Sequence, residues 1–323
     1  MILVTGGAGF IGSVLVKELN KQGHEEIVIV DRLRDTTKWK NLKGLKYTEY
    51  IHADDFLDST YQELHESLTA IYHIGACSST TMMDMDYLME NNVNYSKSLW
   101  ILASHLEIPF IYASSAATYG DGELGYSDDH AEVPKLMPLN PYGYSKQLFD
   151  EWVLKQDIMP SFWYGLKFFN VFGPNEYHKD EMRSLVHKAF GQINESGKVK
   201  LFKSHKDGYE DGKQLRDFIY VKDVVRAMIE LSTKSDDSAI LNMGTGKCRS
   251  FLDLVKATFV AMDKKENIEF IDMPESIRDQ YQYFTEANMD KFRKICPNFK
   301  FSTLEDGVKD YVQEYLCKEN PYF

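Results

Sequence analysis

Cysteine is scarce in this chain of 323 residues, and its four copies, Cys77, Cys248, Cys296 and Cys317, stand far apart with no C-x-x-C pair. That pattern excludes a disulfide framework and a thiolate zinc site, and it fits reduced thiols in a cytoplasmic protein. The nine histidines show no ligand spacing, so no metal is expected. Positive charge is also in deficit: 37 Lys and Arg against 49 Asp and Glu leave a net −12. A general nucleic-acid or anionic-membrane binder needs clustered cations, so both partners are excluded. An anionic small molecule would need a local site of basic side chains or backbone amides. No uncharged apolar run approaches the roughly 18–20 residues of a membrane span. The first strand reads from residue 2, which leaves no room for a signal peptide. Internal repeats and low-complexity segments are absent.

What is present is an alternation. Residues 2–5, 27–31, 70–74, 110–114 and 164–169 are short β-branched or aromatic runs, as strands covered on both faces require. Amphipathic stretches separate them; Leu88, Tyr95, Leu99, Leu102 and Leu106 form one apolar helical stripe. The reading is α/β, a Rossmann-type doubly wound parallel sheet with a smaller mixed C-terminal substrate-binding lobe. Residues 1–169, with about 217–243, are expected to form the dinucleotide-binding domain, and 170–216 with 244–323 the lobe. A charged helix is expected over 182–195, a polar loop over 203–214, a strand and helix over 217–231, and a strand over 239–242.

Thr5-Gly6-Gly7-Ala8-Gly9-Phe10-Ile11-Gly12 follows the first strand directly. Gly6, Gly9 and Gly12 supply a tight turn, a close backbone approach to a pyrophosphate and a helix packed on a strand, while Phe10 and Ile11 open the helix. Amides at that helix start face the phosphates. The second strand ends in Asp31, 19 positions beyond Gly12, where an acid bonds the ribose of NAD. Arg32, Arg34 and Lys38 beside it are the residue type that accommodates the 2′-phosphate of NADP. The residue types leave the choice open; the cations lean towards NADP.

Tyr142-Gly143-Tyr144-Ser145-Lys146 places a phenol and an ammonium four apart on one helix face. An adjacent ammonium is expected to lower the phenol's pKa, so that Tyr142 can shuttle a sugar hydroxyl proton. With 20 Tyr in the chain, the spacing alone proves nothing; Tyr209 and Lys213 repeat it by chance. The context carries the weight, because Ser114-Ser115-Ala116-Ala117-Thr118-Tyr119-Gly120 leaves a strand end upstream, at the ligand-binding edge of such a sheet.

In order and spacing, these three segments resemble the extended short-chain dehydrogenase/reductase family. The resemblance implies that Ser115, Tyr142 and Lys146 are the catalytic triad. It places Asp55 and Phe56 near the adenine, Gly75, Ala76, Cys77 and Ser78 along the cofactor with Asn91 beneath it, and Val171 in contact with it. Within the family, Ala76-Cys77-Ser78-Ser79-Thr80-Thr81, Phe169-Asn170-Val171-Phe172-Gly173-Pro174, His178-Lys179 and Tyr281-Gln282-Tyr283-Phe284-Thr285 are similar to the nucleotide-sugar epimerases that invert carbon 6 of an ADP-linked heptose. That similarity implies bound NADP (NAD possible), an ADP-heptose substrate and a homo-oligomer, often a pentamer. It also implies Lys179 as a second base, touching cofactor as well, which needs a pKa lowered by burial or a neighbouring cation. Ser78, Ser115, Asn170, Glu181, Lys188, Phe202, Lys203, Ser204, His205, Arg216 and Tyr281 are the implied substrate contacts. Arg216 suits a diphosphate through its fork of donors; its alternative is a surface ion pair with Asp217 or Asp211. Ala53 replaces a lysine that some members place near the 2′-phosphate, the 206–215 stretch is longer than usual, and the family's histidine near His187 and Lys188 is shifted by one. A UDP-hexose 4-epimerase and a non-enzymatic NADP sensor are the rival readings. A dehydratase is disfavoured because Ala116 and Ala117 stand where elimination needs an Asp-Glu pair.

Overall fold

The computed structural model describes residues 1–235, 237–278 and 282–323. Seven strands form the central sheet: β1 (Ile2–Thr5), β2 (Ile27–Asp31), β3 (Glu49–His52), β4 (Ala70–His73), β5 (Phe110–Ser115), β6 (Trp163–Phe168) and β11 (Ala239–Met243). Their order is β11-β6-β5-β4-β1-β2-β3, with every pairing parallel. The chain winds outward from β1 to β3, returns to β4 at the other side of β1, and winds outward again. The β1/β4 junction is therefore the switch point, where a crevice opens beyond the carboxyl ends of the strands.

The outer strand β3 has no apolar run because only Ile51 is fully buried there. It is the one sheet strand that the sequence pattern did not indicate. Six shorter strands pair off in twos: β7 (Asn170–Phe172) with β10 (Phe218–Tyr220), β8 (Val199–Phe202) with β13 (Ile268–Ile271), and β9 (Leu215–Arg216) with β12 (Arg249–Ser250).

Among the described residues, seven helices of at least eight residues frame these strands: α1 (Phe10–Lys21), α2 (Tyr95–His105), α3 (Pro141–Val153), α4 (Leu185–Ser196), α5 (Val221–Leu231), α6 (Phe251–Ala261) and α7 (Leu304–Tyr311). α3 starts where Asn140 accepts the Gly143 N–H at 2.8 Å and Pro141 takes the first position, where its missing donor costs nothing. α4 begins three residues later than expected because Ser184 caps it. The stripe from Leu88 to Leu106 is broken: Met85–Leu88 is α-helical, Met89–Asn94 widens into a π turn, and α2 follows. The extra residue turns Asn91 and Asn92 inward, where both are buried and hydrogen-bonded.

One buried cluster joins α1, the sheet face beneath it, α5 and the C-terminal helices, from Val4 and Val14 to Tyr311. The opposite sheet face holds a second, where Trp100 meets Phe110 and Trp163 edge to face. No helix among the described residues is long and apolar enough to cross a membrane.

Candidate active site

The loop after β1 passes so close to the loop after β4 that only glycine fits. A Cβ on Gly6, whose φ is +66°, would lie 2.7 Å from Gly75, and one on Gly12 would lie 2.1 Å from the Gly6 carbonyl. Gly6, Gly75, Ala76 and Cys77 form one wall of a cleft of about 210 Å³. Its far wall is made by Asp31, Arg32, Arg34 and Lys38 with Tyr87, Asn91 and Tyr95. The Tyr95 hydroxyl is buried there without a hydrogen-bond partner among the described residues. A backbone cradle that a Cβ would fill, an unpartnered hydroxyl and a cluster of cations together fit a dinucleotide.

Asp31 is more occupied than its place at the strand end suggests. Its carboxylate accepts the Ala8 N–H at 2.9 Å, the Arg32 N–H at 2.7 Å and the Lys38 ammonium at 2.7 Å. It organises the glycine loop as much as it faces a ligand. Arg32 donates to Asn91 at 2.6 Å and pairs with Asp54, while Arg34, at φ +49°, donates to Tyr87 at 3.0 Å. Of the pair implied near the adenine, Phe56 has its ring fully buried against His65, and Asp55 is exposed. Ala53, Asp54 and Leu57 on either side of them line the cleft.

Ser115, Tyr142 and Lys146 converge at the end of β5. Ser115 turns its hydroxyl onto the Ala117 N–H at 3.1 Å and shares a hydrogen bond with the Tyr142 hydroxyl. Lys146 donates to the Ala113 carbonyl at 2.8 Å. Burial pushes Lys146 down to about 8, with Asp150 opposing. The expected depression of the Tyr142 phenol is corrected, because burial raises it and the bond from Ser115 only partly offsets this. The ammonium spends its bond on a carbonyl, so desolvation dominates. Asn92, which no sequence signal singled out, donates to both the Cys77 carbonyl and the Ser145 hydroxyl at 3.0 Å. Ser145 in turn donates to the Tyr142 carbonyl, so Asn92 ties the cofactor wall to the first turns of α3.

Lys179 sits on a short 3-10 segment, Tyr177–Met182. Its ammonium lies 5.6 Å from the centre of the Phe10 ring, at the start of α1, and Thr80 reaches Met182 on the same segment. Burial lowers its pKa, with Glu176 opposing. The next residue, Asp180, is held at φ +45°. Asn41 anchors the segment, donating to the Ala8 and Asn175 carbonyls at 3.0 and 3.1 Å.

The remaining implied contacts scatter. Val171 is half-buried and Asn170 exposed on β7, and Ser78 is exposed beside Cys77. Glu181 and Lys188 bond each other, while the His187 ring packs on Tyr177. Phe202 ends β8, and the half-buried Lys203 pairs with Asp272 at 3.3 Å. Ser204 donates its N–H to Asp211 at 2.8 Å. His205 accepts the Met273 N–H at 3.2 Å and gives its own N–H to the Tyr283 hydroxyl, so it fastens the 203–213 loop. Tyr281 lies outside the described residues. Arg216 is buried over the Phe251 ring and donates to the Leu215 and Gln282 carbonyls. The alternative of a surface ion pair with Asp217 or Asp211 is corrected. Arg216 is buried, the Asp217 carboxylate is taken by Thr245, Gly246 and Ala287, and Asp211 accepts from Ser204.

Comparison with known proteins agrees with this geometry. Residues 2–244 match the model of the NAD dependent epimerase/dehydratase family. An ADP-L-glycero-D-manno-heptose-6-epimerase of Fusobacterium nucleatum is 51% identical over 100% of both chains. The solved enzyme of that name from Helicobacter pylori has a TM-score of 0.82 at 29% identity, covering 97% of this chain and 95% of its own. A UDP-glucuronic acid 4-epimerase of Bacillus cereus in complex with NAD has a TM-score of 0.75 at 25% identity, covering 98% and 99%.

Proposed function

The chain belongs to the NAD dependent epimerase/dehydratase family, and from that premise we propose that it inverts carbon 6 of the heptose in ADP-D-glycero-β-D-manno-heptose, giving the L-glycero epimer. One observation carries the reading: the Tyr142 hydroxyl shares a hydrogen bond with Ser115 at the end of β5, while Lys179, on a different element, lies over the Phe10 ring at the start of α1. Inversion needs a proton-handling group at each face of the reacting carbon. Tyr142, bonded to Ser115, takes the carbon-6 hydroxyl proton at one face, and Lys179 gives or takes it at the other. Lys146 would bond the nicotinamide ribose. When bound, the nicotinamide dinucleotide supplies the reversible hydride transfer; the glycine loop, Asn91, Cys77, Val171 and Lys179 would hold it.

NADP is the better-suited form. Asp31 already has its charge answered by Lys38, and Arg32 and Arg34 stand in the same cleft to meet a 2′-phosphate. Residues 170–216 and 244–323 act as the substrate-binding lobe, with Arg216, Phe202 and the 203–213 loop receiving the ADP moiety. The enzyme works in the cytoplasm as a homo-oligomer, which sedimentation would test.

The test is to incubate the pure protein with ADP-D-glycero-β-D-manno-heptose, adding no cofactor, and follow both epimers by proton NMR. Growth of the L-glycero epimer to a steady ratio is expected. No change, even with NADP and NAD supplied, would reject the heptose and direct the assay to UDP-hexoses.

A further inference from the structure

Tyr142, Lys146 and Asp150 recur every four residues on α3 and share one face. The first two belong to the proposed catalytic group. Asp150 lies beneath them and pairs with Lys167 of β6 at 2.6 Å, both side chains at 0% exposure. The Asp150 carboxylate also accepts from two residues of β5, the Tyr112 hydroxyl at 3.0 Å and the Ser114 hydroxyl at 2.7 Å. Lys167 donates to the Thr118 hydroxyl at 2.8 Å, and that hydroxyl donates to the Ser115 carbonyl at 2.9 Å. One buried pair is therefore bonded to the helix that carries the tyrosine and, through Thr118, to the turn that carries the serine. Burying two charges is weak support for stability, since desolvation can exceed the attraction gained. The pair calls for another account.

We propose that Asp150 and Lys167 are positioning residues: they hold α3 against β5 and β6 at the separation that keeps the Tyr142 hydroxyl on Ser115, and they set the potential beneath Lys146. Several charged or titratable groups face Lys146: Asp150 and Tyr142 on its own helix, Cys77 on the loop after β4, and His73 on β4. Lys167 on β6 and Tyr112 on β5 act on it through Asp150. Asp150 raises the proton affinity of both Lys146 and Tyr142, so removing its charge lowers both.

The inference rests on the reading of Ser115, Tyr142 and Lys146 given above, so the Tyr142→Phe variant is its control. If Tyr142→Phe still epimerises ADP-heptose, that reading fails and the inference falls with it. If Tyr142→Phe is inactive, the decisive protein is the double variant Asp150→Asn with Lys167→Gln, which removes both charges and keeps the hydrogen-bonding shape. Its kcat is expected to fall about 10-fold or more with KM nearly unchanged, and the basic limb of its pH profile to move to lower pH by about half a unit or more. Tyrosinate difference absorbance against the Tyr142→Phe background should move down in step. An unaltered profile with kcat within about 3-fold of the parent would overturn the proposal. Should the double variant fail to fold, Asp150→Glu keeps the charge on a longer arm. The proposal then expects a folded enzyme with a lowered kcat and an unmoved basic limb, and an unchanged kcat would overturn it.

Discussion

The two groups proposed to handle protons, Tyr142 and Lys179, stand on unlike supports, a tyrosine wall and a lysine wall. Tyr142 stands on a 13-residue helix with a capped start and a buried hydrogen-bonded pair behind it. Lys179 stands on six residues of 3-10 turn beside a backbone strained at Asp180, held by side chains from distant elements, Asn41 above all. A regular helix writes its geometry into local spacing, whereas a strained turn acquires its geometry only when the rest of the fold closes on it. The first wall should therefore resist perturbation at a distance, and the second should not.

The sharpest way to break this comparison is at the reacting groups. Tyr142→Phe should lower kcat by about 10³-fold while the bound cofactor is retained, as general acid-base removal does. NMR assay of the epimers and absorbance of the released dinucleotide check both halves. Lys179→Met should cost about 10²-fold; the same assay finding only a few-fold loss would leave the second wall without a chemical part.

Acid separates the walls by stability. His73, behind the tyrosine wall, is buried and its pKa is pushed down to about 3 by burial and by Lys146; His178 and His187, beside Lys179, are pushed to about 4. In the unfolded chain each binds its proton near pH 6.5. Below that pH the unfolded state therefore holds protons that the folded state refuses, and stability falls as pH drops from about 6.5 until the folded values are passed. His73 alone should contribute about 1.4 kcal/mol per pH unit across that window. Urea unfolding at a series of pH values checks the slope, and His73→Gln should flatten it.

The smallest expected effect tests the distant anchor. Asn41→Ala strips a donor from the Ala8 and Asn175 carbonyls and should lower stability by about 1–3 kcal/mol. It should also lower kcat a few-fold through Lys179 while leaving the tyrosine's pH limb in place. Equal damage to both limbs would erase the distinction between the walls.

The same contrast explains what could be read beforehand. The glycine loop, the acid at the end of β2 and the Tyr-Lys spacing are local patterns, and each lies in the expected element. β3 escaped because an edge strand buries one residue of four. The π turn escaped because an apolar stripe does not register an inserted residue whose asparagines point inward. Phe56 is placed near the adenine by resemblance alone, and its ring is buried against His65. Nothing local distinguishes Lys179 from a surface lysine; its ammonium lies over the ring of Phe10, far earlier in the chain. Tyr95 could have been found, as it falls one position past two helical turns from Tyr87 on the same cleft.

The pairing of β11 with β6 has a consequence for synthesis. β6 is complete by residue 168, yet its outer neighbour begins only at Ala239, after the β7, β8, β9 and β10 strands have been made. A chain emerging from the ribosome thus carries an uncovered parallel edge, Trp163–Phe168, for the whole of that interval. Long-range parallel pairing is slow to form, and an open apolar edge invites association with another chain. That edge stays open while α3 is already made and the last sheet strand is not.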